Sequence, residues 1–280
     1  GGSDYIDGGE GNDWIDAWEG DDTILGGDGS DYILPGGGID TVDGGTGVDT
    51  VVFEGVAGTG DTAELTTDVT NDDGKLRTIL NGAVEFVDAV EMIDVRLLGS
   101  PGDPETLIVD DLTTTHVREV LFNKDFNGAN GVIDLLAVNG SGQAENFSID
   151  IQLDQLGASQ GRTVNTPWGK VTFFGAAGNR TEGDTIQVNA GGGDDVITTA
   201  YGAEDFMLLE LNGEEGNDEI QGADTLTGGR GNDSLTGSDG NDTLDGGAGD
   251  NVIVGNGGSD TVLGTGTNTI LLPGTAGVDT

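Results

Sequence analysis

The sequence has 280 residues, of which 52 are acidic and 9 basic, so that its net charge is −43; it has no cysteine, one histidine and 54 glycines. Such a charge disfavours nucleic acid and anionic membrane surfaces as partners and favours cations. No apolar run approaches the ~20 residues that a membrane-spanning helix needs.

Residues 1–52 repeat a nonapeptide of the form GGxGxDxUx, in which U is a large apolar residue. Six units, the first of them partial, follow one another, and aspartate holds the sixth position of every unit. These aspartates are Asp4, Asp13, Asp22, Asp31, Asp40 and Asp49. The U positions are Ile6, Ile15, Ile24, Ile33, Val42 and Val51. A fixed register of this kind indicates one structural unit per repeat.

Residues 53–189 lack the repeat and alternate β-favouring runs with turn residues. No amphipathic helix of ordinary length stands out. Strands are predicted at residues 91–98, 105–109, 117–122, 132–138, 147–153 and 170–174. This spacing suits longer and less regular coils of a solenoid.

The nonapeptide returns as an isolated unit at residues 190–198, which contains Asp195, and as a second array from Gly213 onward. Its sixth positions are Asp218, Asp224, Asp233, Asp242, Asn251 and Asp260. Two units depart from the pattern. The unit at residues 222–227 is short and lacks the GxG turn, which leaves the pairing of Asp218 and Asp224 open, and Asn251 replaces aspartate.

This nonapeptide resembles the calcium-binding repeats of RTX proteins, which form parallel β-helical coils. The resemblance implies that GGxGxD is a turn and xUx a short strand, that U points inward, and that two nonapeptides make one coil of a right-handed β-roll. Residues 18 apart then lie one coil apart on the same edge. We therefore expect an all-β solenoid with calcium arrays at residues 1–52 and 190–280 around a degenerate β-solenoid at 53–189.

Aspartates stacked on successive coils would lie ~4.8 Å apart. Two unit charges at that distance repel by ~1 kcal/mol in water and by ~3–4 kcal/mol at a surface-like dielectric. A divalent cation between the coils reverses this sign. Because oxygen is the plentiful ligand, a hard cation is favoured, and irregular cages of carboxylates and carbonyls suit Ca²⁺ better than Mg²⁺.

The resemblance implies several calcium ions, each held by two sixth-position carboxylates 18 residues apart and by turn carbonyls. The expected pairs are Asp4/Asp22, Asp22/Asp40, Asp13/Asp31, Asp31/Asp49 and Asp242/Asp260. Asp233 would pair with Asn251, which supplies an oxygen without charge, so a weaker site is expected there. Asp195 is also a candidate ligand, although an aspartate that merely ends a turn remains the alternative.

Other motifs are weaker. Residues 125–134 resemble the start of an EF-hand loop, but the glycine comes one residue late and no closing glutamate follows, so a turn is expected. His116 has no evident partner for zinc or nucleophilic chemistry and is expected in a strand. Trp14 and Tyr32 both hold position seven and should stack on adjacent coils, either as a shield or as a surface for glycans or another partner.

We expect a non-enzymatic, calcium-binding structural segment of a large secreted bacterial protein, such as an adhesin stalk, an extracellular matrix or filament, or a surface-layer element. Tandem copies or end-to-end self-association are expected, with the sequence a piece of a longer polypeptide. The alternatives are a C-terminal calcium-folding and secretion module of a secreted hydrolase or toxin, and a glycan-binding module. No partner among nucleic acids and no membrane insertion is expected.

Overall fold

The computed structural model describes residues 1–55, 62–67, 76–80, 83–97, 104, 106–124, 135–153, 159–174, 184–200, 208–222 and 224–271. All regular elements in these ranges are β-strands. The strands up to residue 124 are β1 (Tyr5–Glu10), β2 (Trp14–Asp16), β3 (Thr23–Asp28), β4 (Tyr32–Leu34), β5 (Thr41–Thr46), β6 (Thr50–Glu54), β7 (Thr62–Thr67), β8 (Leu76–Leu80), β9 (Ala83–Asp88), β10 (Met92–Leu97), β11 (Thr106–Val109) and β12 (Glu119–Lys124).

The later strands are β13 (Leu135–Asn139), β14 (Asn146–Leu153), β15 (Ser159–Asn165), β16 (Lys170–Phe174), β17 (Thr185–Asn189), β18 (Val196–Thr199), β19 (Leu208–Glu215), β20 (Glu219–Gln221), β21 (Thr225–Arg230), β22 (Ser234–Thr236), β23 (Thr243–Asp245), β24 (Asp250–Val254), β25 (Thr261–Leu263) and β26 (Thr267–Leu271). None of the elements in the described ranges is a helix with the length and apolar character to cross a membrane.

The first of two compact units comprises Gly1–Val132 and Trp168–Ala176. One of its sheets has the order β1-β3-β5-β9-β8-β7-β11, and the other has the order β2-β4-β6-β10-β12-β16. Successive nonapeptides therefore alternate between two sheets, and strands 18 residues apart are parallel neighbours, with Ile6 paired to Ile24 and Trp14 to Tyr32. The predicted β-roll, with two nonapeptides per coil, is confirmed.

The second unit comprises Ile133–Pro167 and Ala177–Thr280. Its sheets have the orders β13-β17-β19-β21-β23-β25 and β15-β14-β18-β20-β22-β24-β26. Strand pairing here is parallel except between β14 and β15. The short unit at residues 222–227 reduces one coil to 15 residues, so that Leu211 pairs with Leu226, whereas Leu226 pairs with Leu244 in the ordinary register.

The core of the first unit is a column of U residues stacked coil upon coil. In one sheet Ile15, Ile33, Val51, Ile93 and Val120 are consecutive partners across neighbouring strands. All five are buried. Because successive strand residues point to opposite faces, the flanking positions seven and nine point outward. Each buried U side chain contributes about 1.5–3 kcal/mol.

The middle of the sequence continues the coils but also interrupts them. The predicted strands at residues 91–98, 105–109, 117–122, 132–138, 147–153 and 170–174 correspond to β10, β11, β12, β13, β14 and β16. The prediction did not include β7, β8 and β9, which pair antiparallel, or β15, which folds back on β14. It also did not include β17, which pairs in parallel with β13. The domain boundaries after residues 52 and 189 remain predictions, and β6 pairs with β10 in the register of the array.

The structure describes one of two weaker motifs. Residues 125–134, which hold the EF-hand-like sequence, lie outside the described residues. His116 lies in a bend before β12 and not in a strand, and its Nδ1 is 3.4 Å from Asp88 Oδ1.

Candidate metal sites

The sixth-position aspartates of the first array form two ladders, one at each edge of the roll. In one ladder the Asp13 N–H donates to Asp31 Oδ1 at 2.9 Å, and the Asp31 N–H donates to Asp49 Oδ1 at 2.8 Å. In the other, Asp4 and Asp22 donate in the same way to Asp22 and Asp40, at 2.8 and 2.7 Å. The four pairs expected in this array therefore lie on neighbouring coils.

The second carboxylate oxygen of these aspartates is buried and lacks a hydrogen-bond partner. Among the described residues, eight Oδ2 atoms are in this state, those of Asp13, Asp22, Asp31, Asp40, Asp49, Asp195, Asp218 and Asp233. The side chains are deeply enclosed, with Asp31 2% and Asp49 0% exposed. Leaving a buried charged oxygen unpaired costs at least about 1–3 kcal/mol. Eight repetitions of such a cost indicate a missing positive partner.

The ladder that contains Asp49 continues to Glu91, a residue that the sequence analysis did not identify. The Asp49 N–H donates to Glu91 Oε2 at 2.9 Å, across 42 residues. The turn before Glu91 is shorter than the usual one, and the extra methylene of glutamate extends the carboxylate. A signal was present in the sequence, because Glu91-Met-Ile93 repeats the acid-x-apolar order of Asp13-Trp-Ile15.

A third ladder runs through the second unit. The Glu145 N–H donates to Asp195 Oδ1 at 2.7 Å, and the Asp195 N–H donates to Asp218 Oδ1 at 2.9 Å. The Asp218 N–H donates to Asp233 Oδ1 at 3.0 Å, and the Asp233 N–H donates to Asn251 Oδ1 at 2.9 Å. Asp195 thus belongs to a ladder with Glu145 and Asp218. Glu145 was missed because 50 residues separate it from Asp195.

The opposite edge of the second unit carries Asp224, Asp242 and Asp260. The Asp224 N–H donates to Asp242 Oδ1 at 3.0 Å, and the Asp242 N–H donates to Asp260 Oδ1 at 3.1 Å. The short unit therefore places Asp218 and Asp224 on different edges, 15 and 18 residues from their next partners. Asp218 and Asp224 are therefore not ladder partners of each other.

Backbone carbonyl groups approach the ladders closely. A side chain at Gly27, whose φ is 112°, would collide with the carbonyl oxygen of Gly9 on the preceding coil. Where asparagine replaces aspartate, Asn251 Nδ2 donates to the Gly246 carbonyl at 2.7 Å. The first-position carbonyl is therefore within reach of the second side-chain atom at position six. An aspartate there would bring two oxygens together with no hydrogen between them.

The ionisation of the ladder carboxylates reflects this crowding. Burial raises the pKa of Asp49 to about 6, repulsion from Asp31 and Glu91 adds to the rise, and the Asp31 N–H opposes it. Burial likewise raises the pKa of Asp195 to about 6, with further repulsion from Asp218. The pKa values of Asp40, Asp218 and Asp233 are also raised, chiefly by burial. A bound cation would offset this cost of holding charge.

The donors fit a hard divalent cation. They are carboxylates and backbone carbonyls, and first-position glycines such as Gly8, Gly26 and Gly44 leave open the space beside Oδ2 that a Cβ would fill. Among the described residues, no group of three or more His, Cys, Asp or Glu side chains forms a metal cluster. Carboxylates and backbone carbonyls are a donor set that suits Ca²⁺ better than zinc.

Trp14 and Tyr32 stack as predicted, with their ring centroids 4.4 Å apart and their planes inclined by 22°. The Arg96 guanidinium lies 6.0 Å from the Tyr32 ring centroid and also donates to the Tyr32 hydroxyl. Arg96 is held in turn by Asp94, at 2.7 Å. The stack therefore ties together three coils, although Trp14 remains 68% exposed.

A family model described as RTX calcium-binding nonapeptide repeat, in four copies, matches residues 1–33, 36–55, 210–235, 220–253 and 236–271. No curated protein matches the chain. The matched ranges contain the ladder aspartates of the two arrays, whereas Glu91, Glu145 and Asp195 lie outside them.

Proposed function

The chain carries RTX calcium-binding repeats in residues 1–33, 36–55 and 210–271, and we propose that it is a structural segment of a secreted protein that folds when it binds calcium. RTX repeats bind Ca²⁺ at several sites. The observation that carries the proposal is the set of eight buried Oδ2 atoms without a hydrogen-bond partner among the described residues.

Calcium dependence follows from the free energies of one repeat. Each nonapeptide buries little more than one large apolar side chain, which contributes about 1.5–3 kcal/mol. Ordering its backbone costs about 1–2 kcal/mol per residue. Hydrogen bonds between coils reduce this deficit, but repulsion between stacked carboxylates increases it. Binding of a cation that needs the folded ladder is therefore coupled to folding.

The ladders support an assignment of the residues that would hold the ions. Each ion would take carboxylates from two successive coils, together with turn carbonyls. The supporting pairs are Asp13/Asp31, Asp31/Asp49, Asp22/Asp40, Asp195/Asp218 and Asp218/Asp233. A bound Ca²⁺ supplies positive charge and fills the coordination of the buried oxygens. The chain supplies the fixed spacing of the coils.

The structural role and the secreted location are part of this proposal. Proteins with RTX repeats are typically secreted, and oxygen sites of extracellular modules bind calcium at about 10⁻⁴–10⁻³ M. Most of the buried acids among the described residues belong to the repeated ladders, which supports a stalk, matrix or surface-layer element. A catalytic domain found in the same polypeptide would instead favour the secretion module of a hydrolase or toxin.

Circular dichroism of the 280-residue chain tests the proposal. In excess chelator, the β signal should be weak, and millimolar Ca²⁺ should restore it, whereas Mg²⁺ at the same concentration should restore it less because Mg²⁺ needs a tighter octahedron. A full β signal in chelator that calcium leaves unchanged would contradict calcium-coupled folding.

A further inference from the structure

The second residue of the turn correlates with the state of the carboxylate in most turns. The turn of Asp260 departs from this, because its second residue, Asn256, has a φ of 65° although Asp260 is not among the aspartates with an unpartnered Oδ2. All eight aspartates with an unpartnered Oδ2 follow a second-position residue with positive φ. These second-position residues are Gly9, Trp18, Gly27, Gly36, Gly45, Gly191, Glu214 and Gly229. Two of them, Trp18 and Glu214, adopt this conformation at φ of 70° and 73° although they carry a Cβ. The conformation is therefore a property of the turn and not of glycine alone.

Two turns carry serine at the second position and behave differently. Ser141 and Ser238 are absent from the residues with positive φ. Their N–H groups donate to Glu145 Oε2 and Asp242 Oδ2, each at 2.7 Å. The Ser141 hydroxyl adds a bond to Glu145 Oε1 at 3.0 Å. In both turns the sixth-position carboxylate thus receives a donor from its own turn.

The carbonyl beside one of these turns is also occupied by the protein. Asn256 Nδ2 donates to the Gly237 carbonyl at 2.8 Å. Gly237 is the first residue of the Ser238 turn and matches Gly246, whose carbonyl accepts from Asn251. In the Ser238 turn, both the carboxylate and the first-position carbonyl therefore have internal hydrogen-bond donors.

We propose that a serine in ordinary conformation at the second turn position closes a turn to a cation. A residue in the left-handed conformation turns its N–H away and leaves the buried carboxylate for calcium. A serine in ordinary conformation closes the turn with its own N–H. The calcium sites then lie at the eight turns with a free Oδ2, while the turns of Glu145 and Asp242 are closed. This inference rests on the proposed function. It narrows the set of calcium sites, because it excludes the turn of Asp242 although that turn shares the repeat sequence of the calcium-binding turns.

The test is Ser238→Gly, with Ser238→Ala as the matched control. Glycine can adopt positive φ without strain, whereas alanine removes the hydroxyl but keeps the ordinary preference. Calcium bound per chain is counted in the full chain by equilibrium dialysis at fixed free Ca²⁺. Ser238→Gly should bind about one more ion than the natural chain. Ser238→Ala should bind the same number as the natural chain.

Equal counts for Ser238→Gly and the natural chain would overturn the inference and leave calcium binding intact. A natural chain that binds no calcium would instead overturn the proposed function. A gain in Ser238→Ala as large as that in Ser238→Gly would also contradict a conformational cause. If Ser238→Gly fails to give the β signal of the natural chain in calcium, Ser141→Gly decides the same question in the other closed turn.

Discussion

At the scale of the residue, each of the eight ladder aspartates with an unpartnered Oδ2 has two separable tasks. Its Oδ1 accepts the N–H of the preceding coil, and its Oδ2 is left for a cation. Asn251 keeps the first task, because its Oδ1 accepts from Asp233 at 2.9 Å. It replaces the second with an amide that donates to Gly246 at 2.7 Å. Asparagine is therefore a probe that removes the cation site without breaking the ladder.

Asp31→Asn should weaken calcium binding and strengthen the calcium-free fold. The amide retains the acceptor for the Asp13 N–H but removes one charged ligand from the two sites shared with Asp13 and Asp49. Affinity at these sites should fall about tenfold or more, or at least about 1.4 kcal/mol. Isothermal titration calorimetry measures the affinity, and the β signal in chelator should rise because repulsion between stacked carboxylates is reduced.

Asp28→Asn is the matched control, since it removes the same charge from an exposed position three residues earlier in the sequence. Asp28 Oδ1 accepts only a surface hydrogen bond from Thr46 Oγ1 in the structure, at 3.0 Å. The calcium affinity of the Asp28→Asn variant should stay close to that of the natural chain. Equal losses in the two variants would show that the ions form a diffuse atmosphere around the acidic chain.

The sequence was sufficient to predict the ladder aspartates wherever the repeat is intact. Position, spacing and the inward U residue all agree in the first array, and the structure places the expected partners on neighbouring coils. Glu91 and Glu145 were not predicted, because insertions of the chain separate them from their ladder partners, Asp49 and Asp195, by 42 and 50 residues. Their positions depend on which coils become neighbours, and a local repeat does not contain that information.

At the scale of the element, the turns store backbone strain. Glu214 holds position two of its turn at φ 73°, a conformation that costs residues with a Cβ about 1–2 kcal/mol. Glu214→Gly should therefore be more stable than Glu214→Ala, by about 1 kcal/mol after the greater chain entropy of glycine is subtracted. Urea unfolding in the presence of calcium measures this difference as a shift in midpoint.

The neighbouring position provides the control for that comparison. Glu215 lies in the same strand without positive φ, and its ion pair with Arg230, at 3.1 Å, is lost equally in glycine and alanine variants. Glu215→Gly should accordingly be less stable than Glu215→Ala. The same order at both positions would contradict a left-handed conformation at Glu214.

The strands of the arrays were predictable because a turn signal recurs at a fixed distance from each U residue. In the middle, β10, β11 and β12 were found from β-favouring runs alone. The meander of β7, β8 and β9 was missed, as its strands pair antiparallel and share no repeat with the coils. Local propensity does not determine whether a strand joins its neighbour in parallel or folds back on it.

At the scale of the whole molecule, charge dominates. With 52 acidic residues against 9 basic ones, the folded chain concentrates negative charge that the unfolded chain can spread out. Each of the two compact units contains its own ladder of buried carboxylates. Two agents can relieve this repulsion: calcium ions at the ladders, or protons on the carboxylates.

Lowering the pH should therefore partly replace calcium. Burial raises the pKa of Asp49 and Asp195 to about 6 in the folded chain, whereas an unfolded aspartate titrates at about 3.9. A raised folded-state pKa gives a stability contribution that is fully present below about pH 4 and is lost as the pH rises through about 6. In chelator, the β signal should accordingly increase when the pH falls from 7.5 to 5.

A lower pH should weaken calcium binding, although it stabilises the calcium-free fold. Protons compete with calcium for the same carboxylates, so the calcium concentration at half-folding should rise as the pH falls through about 6. Titrations of the β signal with Ca²⁺ at pH 7.5, 6 and 5 measure this, and light scattering confirms that the chain stays monodisperse. The contrary outcome is a calcium-free chain that loses β signal between pH 7.5 and 5. Protonation would then remove a favourable interaction of the charged carboxylates and relieve no repulsion. The ladder carboxylates would in that case be stable as charged groups without a cation.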